Sequence, residues 1–345
     1  MIGSLKSLEI VGGGPAGLAA GILLRRHGVP VDLHEAGTYP RHRVCGEFLC
    51  GLDPGMPAML GLTDVFARAA INQSCGWFDR QDKLIYQADL PVRVHGLSRW
   101  QMDVAMAAEF TRLGGNLHAH SRVDPMGKPG RIRACGRQAA SASNWCGLKA
   151  HFRHMDLRAD LEMHLGSGGY LGLAKIEDGL VNACGLFPAS ALNTRDPQPH
   201  RLAAATRTLG LDVLADRLGA ADLVTDSLVG CAKIHPGWQA NHDEISPGIG
   251  DAMAIIPPFT GNGMTMAIQA ADQLSGIMLG YARGEYSWPE AVAMARAAQR
   301  RRFSRRLHWA QWAHPVMLHP AGQWILGMLG RAGLLPFQLM FRLTH

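Results

Sequence analysis

Gly12, Gly14 and Gly17, spaced GxGxxG, break an apolar run that reads Leu8-Glu9-Ile10-Val11 before them and Leu18-Ala19-Ala20 after them. This spacing suits a pyrophosphate. The first glycine allows a sharp turn out of a strand, the second lets the phosphates approach the backbone, and the third lets a helix pack close to the sheet. Pro15 and Ala16 open that helix, whose free N–H groups and dipole favour an anion there without any basic side chain. Beyond Gly28, Val31-Asp32-Leu33-His34-Glu35 reads as a second strand with Glu35 at its tip and Ala36 beside it, where a carboxylate can accept hydrogen bonds from adenosine ribose hydroxyls. The βαβ unit indicates a dinucleotide, which a lone glycine motif would not.

A second constellation lies far along the chain. Gly250-Asp251 leads into Pro257-Pro258-Phe259-Thr260-Gly261-Asn262-Gly263-Met264, which opens a helix from Thr265 to Leu279. Asp251 is suited to a polyol hydroxyl, and the loop from Pro257 to Met264 to a polar ring or oxyanion at a helix N-terminus. One ligand with a pyrophosphate at one end and a sugar alcohol with a heteroaromatic ring at the other satisfies both loops. FAD fits better than NAD. Asn262, with the backbone of Gly261, Gly263 and Met264, is then expected at the pyrimidine edge of the flavin.

The loop Pro40-Arg41-His42-Arg43-Val44-Cys45-Gly46-Glu47-Phe48-Leu49 leaves the sheet where ligands bind. Arg43 reads as a flavin or substrate-anion ligand, or as a surface residue. Cys45 reads as a proton donor or flavin sensor, or as a small buried residue. Trp77, His151, His164 and Tyr170 fall on short strands where they face either substrate or core. Cys45, Tyr170 and Asn262 are the catalytic candidates, and no metal-ligand spacing is present.

The elements that must position these groups follow from pattern. The 345-residue chain is 47% hydrophobic with a net charge of +6, ample for a buried core. Its basic residues cluster only at Arg300-Arg301-Arg302 and Arg305-Arg306, with no aromatic-interleaved basic motif, so nucleic acid is not expected as a partner. Seven cysteines without a CxxC pair and no secretory leader imply reduced thiols and a cytoplasmic location. A helix is expected from Asp64 to about Ala70, a hairpin from Cys75–Asp79 and Lys83–Gln87, a helix over Gln101–Arg112 and a strand over Asn116–Val123. Asp124–Asn144 is patternless. Four short strands then follow over Leu148–Phe152, Leu161–Leu165, Gly169–Ala174 and Leu180–Leu186, the mark of an antiparallel sheet. A helical stretch from Pro199 to Leu218, a basic helix over Trp288–Arg306 and an apolar tail from Pro315 complete the chain. The tail reads as a helix pair packed on the body, or as an interfacial element in peripheral contact with membrane or lipid.

These motifs, in this order, resemble the FAD-dependent superfamily of aromatic-ring hydroxylases, flavin halogenases and geranylgeranyl reductases. The matching residues are Gly12-x-Gly14-x-x-Gly17 with Glu35, Arg99 at the head of its helix, and Gly250-Asp251…Pro257…Gly261-x-Gly263. The resemblance extends to about Leu279. It implies an α/β fold: a Rossmann-like FAD-binding domain (1–72, 97–140 and 245–285), an antiparallel substrate-binding sheet (73–96 and 141–244) and a C-terminal helical region (286–345). It further implies that Glu35 binds the adenosine ribose, Arg99 the diphosphate or ribityl region, Val123 the adenine through its backbone, and Asp251 the ribityl chain. NAD(P)H or a separate flavin-reducing partner is implied as electron donor. The family's interdomain Asp-Gly motif is replaced by Ala134-Cys135-Gly136-Arg137, which bears on NAD(P)H use.

Arg43-Val44-Cys45-Gly46-Glu47 and Pro258-Phe259-Thr260-Gly261 lean towards the reductase branch. The aromatic-Pro strand signature of that branch is replaced by Tyr170-Leu171-Gly172-Leu173-Ala174, and the Lys and Trp pattern of the halogenases is not evident. The function expected is hydroxylation or oxidation of a small, apolar, aromatic or polyketide-like metabolite. The alternatives are reduction of a C=C bond in a prenyl or polyene chain, or a flavoprotein that binds without turnover.

Overall fold

The computed structural model describes residues 4–137, 143–191, 200–239 and 245–345. The boundaries expected at 140/141 and 244/245, and Pro199, touch residues outside that set. Leu8–Val11 is central in a parallel sheet, flanked by Val31–His34 and then Asn116–His118 on one side and by Arg131–Arg133 on the other. Ile10, Leu33 and Ile132 are completely buried in it. Helix Pro15–Arg26, buried from Pro15 through Leu24, packs against helix Gly263–Arg283. A parallel bridge from Arg133 to Gly248 carries the second glycine loop to the same sheet.

The structure corrects the region after the first βαβ unit in two places. The strand expected over Asn116–Val123 ends at His118. There His120 turns the chain at φ 54°, and the Ser121 N–H donates to the Glu35 carbonyl at 2.8 Å. Asp124–Asn144, expected to be patternless, contains the buried strand Arg131–Arg133. Its arginines hide it from a hydrophobic pattern, and their partners make burial tolerable. Arg131 Nη2 meets Glu9 at 3.1 Å, and Arg133 Nε donates to the Ser246 carbonyl at 3.2 Å.

The second sheet has nine strands. In spatial order eight of them are Asp222–Leu223, Trp145–Arg153, Val181–Pro188, Gly169–Lys175, Leu161–Gly166, Ala70–Phe78, Leu84–Gly96 and Phe48–Cys50, and Val229–Cys231 also pairs with Trp145–Arg153. Both the expected hairpin and the four expected antiparallel strands are present. Phe48–Cys50 and Ala70–Asn72, assigned to the dinucleotide part at the sequence level, belong to this sheet.

Because side chains alternate across a strand, register sorts the sheet into two faces. Leu148, Ala150, Phe152, Leu171, Leu173, Val181, Ala183 and Phe187 pack beneath helices Arg201–Thr208 and Asp212–Ala220. These two helices replace the single one expected and are parted at Gly210 (φ 72°). The other face carries Lys149 and His151 opposite Cys184 and Asn182, then Gly172 and Ala174, then Tyr170 and Met163. It is polar at one end and apolar at the other.

The C-terminal residues are not a separate region. Helix Trp288–Leu318 starts at a capping box of Ser287 and Glu290. It places Phe303, Leu307 and Ala310 in the core of the parallel sheet and Met317 in the core of the antiparallel one. Helices Pro320–Arg331 and Phe337–Thr344 then lay Leu326, Phe337 and Phe341 beside Trp77, Leu165 and Tyr170.

Candidate active site

Gly12 sits at φ 112°, and a Cβ on it would stand 2.1 Å from the Ala134 carbonyl oxygen. A Cβ on Gly17 would stand 1.9 Å from the Gly12 carbonyl oxygen. Both positions therefore exclude a side chain. Gly14 differs, because the nearest atom to a Cβ there is Arg99 Nη2, at 3.7 Å. The room over Gly14 is open, lies at the uncapped N-terminus of Pro15–Arg26 and is faced by a guanidinium, the combination that holds a pyrophosphate.

Glu35 fastens this loop. Its carboxylate accepts the Gly13 N–H and the Gly37 N–H, each at 2.8 Å, and Arg41 Nη1 at 2.6 Å. The Tyr39 hydroxyl donates to the Gly13 carbonyl at 2.5 Å. Burial pushes the Glu35 carboxyl up, but Arg41 and the two amides outweigh it and bring it to about 2. Arg99, at the head of helix Arg99–Arg112, is locked in two bonds to the buried Asp103, at 2.8 and 2.6 Å. Asp103 keeps its guanidinium charged against the effect of burial. Arg43 stands within electrostatic reach of Arg41 and Arg99 and of the Glu35 and Asp103 carboxylates.

The second loop abuts the first. At Gly250 (φ 60°) a Cβ would lie 2.9 Å from that of Ala16. Asp251 keeps solvent-accessible surface, yet surrounding protein raises its carboxyl, with Arg99 and Arg137 opposing. Pro257 leads into a short turn ending at Gly261 (φ 66°), and nothing lies within 4 Å of a Cβ on Gly263. Met264 is buried at the start of its helix. Ala36 and Val123 are near Glu35, Ala36 exposed and Val123 in the loop that Ser121 ties to the Glu35 carbonyl.

Two of the catalytic candidates are buried. Asn262 is 1% exposed, and its side-chain amide donates to the Thr344 carbonyl at 2.9 Å. It ties the second glycine loop to the last helix, and its Oδ1 has no partner among the described residues. Tyr170 is buried in the apolar core with its hydroxyl towards the Phe259 backbone amide. Cys45 lies in the loop that leads into strand Phe48–Cys50. Burial pushes its thiol up to about 11, so it is a proton-bearing group and not a thiolate at neutral pH. His164 proves structural, stacked on Phe78 and 2.9 Å from Glu162.

Beside Cys45 lies a further cluster. Glu47, Lys149 and His151 are all buried. Glu47 sits at φ 53° and accepts Lys149 Nζ at 3.1 Å, His151 Nε2 at 2.5 Å and the Arg99 N–H at 3.0 Å. Although burial opposes it, His151 and Lys149 hold the Glu47 carboxyl below its usual range. Lys149 also reaches His42 Nδ1 at 3.2 Å, and His42 stacks on Trp100 at 4.5 Å. The adjacent Asn182 donates to the Cys45 carbonyl at 3.0 Å, and its Oδ1 is without a partner among the described residues. The sequence signals for this cluster were Glu47 at the end of the run Arg43-Val44-Cys45-Gly46-Glu47, and Lys149 and His151 two apart on a strand, hence on one face.

A pH dependence follows. Burial and Lys149 lower His42 to about 4, and burial lowers His314 and His345 to about 4, from an ordinary 6.5. The unfolded chain therefore binds these protons first. Their contribution is complete above about pH 6.5 and is lost as pH falls from there towards 4. Glu35, depressed to about 2, stabilises the fold above its ordinary value of 4.5 and loses that effect as pH falls towards 2. Melting temperature measured by calorimetry is expected to fall in two stages over these windows, and His42→Gln to reduce only the first.

Among known proteins, a family described as an NAD(P)-binding Rossmann-like domain matches residues 10–60. A search of curated proteins found no match. Among solved structures, a geranylgeranyl bacteriochlorophyll reductase-like protein from Thermoplasma acidophilum superposes with a TM-score of 0.74 at 16% identity, covering 95% of this chain and 91% of that one. HpxO from Klebsiella pneumoniae, complexed with FAD and uric acid, gives 0.74 at 15%, covering 98% and 96%. The p-nitrophenol 4-monooxygenase PnpA from Pseudomonas putida gives 0.72 at 14%, covering 99% and 96%. With its parallel sheet, second glycine loop and large antiparallel sheet, the chain shares the fold of these three structures.

Proposed function

We propose that the protein is an FAD-dependent oxidoreductase that hydroxylates or oxidises a small apolar metabolite, aromatic or polyketide-like. The supporting observation is the meeting of two distant loops. Gly250 against Ala16 sets an open, arginine-faced helix N-terminus beside Asp251, as one elongated dinucleotide requires. In this reading Gly14, Arg99 and Arg43 hold the diphosphate, Glu35 and Ala36 the adenosine ribose, the Val123 backbone the adenine, and Asp251 the ribityl chain. The backbone from Gly261 to Met264 faces the ring.

Bound flavin supplies hydride acceptance and, when reduced, reactivity towards oxygen. The chain supplies orientation and exclusion of water. The sheet face that carries Lys149, His151 and Asn182 gives the substrate side a polar end, and its apolar end at Met163 and Tyr170 is packed beneath the C-terminal helices. NAD(P)H, directly or through a separate reductase, is the electron donor in this reading. A C=C reductase remains the second reading, favoured by Cys45, whose retained proton suits protonation of a carbon centre.

The recombinant protein is expected to be yellow and to consume oxygen when given NAD(P)H and substrate. Anaerobic turnover with a gain of two hydrogens and no oxygen incorporation would establish the second reading instead. Asp251→Ala, which removes no hydrogen bond among the described residues, is expected to weaken flavin binding about 10-fold in fluorescence titration. An unchanged Kd would remove Asp251 from the site.

A further inference from the structure

After Glu290 the chain has no acidic residue up to its end at His345, while arginine occurs eight times. In the same stretch large apolar side chains stand in solvent: Trp312 is 65% exposed, Trp324 63%, Leu334 68% and Leu339 57%, with Trp309, Ile325 and Met328 also exposed. Scattered exposed apolar residues are ordinary, whereas a concentrated set marks an interaction surface.

Helical spacing collects these residues into stripes. Arg305, Trp309 and Trp312 lie at i, i+4 and i+7 on one face of Trp288–Leu318, with the two indoles in edge contact at 5.8 Å. Trp324, Ile325 and Met328 share the outer face of Pro320–Arg331, because the inner face holds Leu326, Gly327 and Gly330, the last against the Ile85 backbone. Each stripe has an arginine about one turn away: Arg305 from Trp309, Arg331 from Met328, Arg342 from Leu339. Among the described residues the acidic partner nearest this set is Asp79, 3.9 Å from Arg331.

We propose that this C-terminal face docks the protein on an anionic lipid bilayer, with the tryptophans at headgroup level, the aliphatic side chains below them and the arginines on lipid phosphates. Tryptophan favours that boundary because one end of its ring is apolar and the other can hydrogen-bond, and arginine matches phosphate in geometry as well as charge. No described helix is long and apolar enough to cross a membrane, so the helices lie on the surface. The proposal does not depend on the flavin reading. The same helices wall the apolar end of the antiparallel sheet, so docking sets that end beside the bilayer.

The test is co-sedimentation of the full chain with phosphatidylcholine vesicles, with and without about 30% phosphatidylglycerol, alongside tryptophan emission and size-exclusion chromatography. Binding to the anionic vesicles at least about 10-fold above the neutral ones, with a blue shift in emission, is expected. High salt should weaken it, since exposed charges are screened. Trp312→Ser with Trp324→Ser, and separately Arg305→Glu with Arg342→Glu, should each lower binding about 10-fold while melting temperature and flavin content stay unchanged. Failure to sediment with anionic vesicles, or undiminished binding by both variants, would overturn the proposal. So would a concentration-dependent dimer that the tryptophan variant abolishes without any vesicle binding, which would assign the face to a second copy.

Discussion

Glu47→Ala is expected to lower the unfolding free energy by about 3–5 kcal/mol, because removing one partner of a buried ion pair leaves the other charge uncompensated. Lys149 would keep its contact with His42, at 3.2 Å, but lose the Glu47 carboxylate, at 3.1 Å. His151 and the Arg99 N–H would lose their acceptor in the same step. Glu47→Gln preserves size but not charge and should recover part of the loss. A double variant, Glu47→Leu with Lys149→Met, should be more stable than the sum of its single variants predicts, since it removes both charges together. Urea unfolding curves for the double variant, its two single variants and the parent decide this. Additivity within about 0.5 kcal/mol would show that the two side chains are not coupled.

Gly17→Ala and Gly14→Ala should behave oppositely although both fall in one motif. At Gly17 the new Cβ would stand 1.9 Å from a backbone oxygen, whereas at Gly14 it meets nothing nearer than 3.7 Å. Gly17→Ala is therefore expected to destabilise the fold by more than about 4 kcal/mol and to accumulate insoluble. Gly14→Ala should fold with a melting temperature within about 2 °C of the parent, as for a substitution without a steric clash. Its methyl occupies the space over the helix N-terminus, so flavin affinity should fall about 100-fold, near 3 kcal/mol. Circular dichroism separates folding from binding, and flavin content per chain measures the second. A Gly14→Ala protein that retains flavin at parental affinity would contradict the assignment of that space to a pyrophosphate.

The C-terminal helices link these sites to the rest of the molecule. Asn262 on Thr344 and Arg306 on the His345 carbonyl close the chain end over the loop that precedes helix Gly263–Arg283. Asn262 was expected to serve the ring of the cofactor. In the structure its amide donates to the backbone of the last helix, a contact more than eighty residues away in sequence and visible to no local pattern.

Local periodicity and glycine chemistry were sufficient for the dinucleotide unit, the hairpin, the four antiparallel strands and the second glycine loop. Each depends on residues close in sequence, an apolar strand, a turn needing positive φ, a helix N-terminus, and this physics carries over unchanged into the fold. What the pattern could not reveal depends on distant partners. Arg131–Arg133 is a buried strand because Glu9 and the Ser246 carbonyl receive its guanidinium groups. Glu47, Lys149 and His151 form one buried cluster because a loop and a sheet strand about a hundred residues apart converge on it. A charged side chain in isolation predicts exposure. Only tertiary structure decides which opposite charge or carbonyl stands close enough, here 3.1 to 3.2 Å for Arg131, Arg133 and Lys149, to make its burial tolerable.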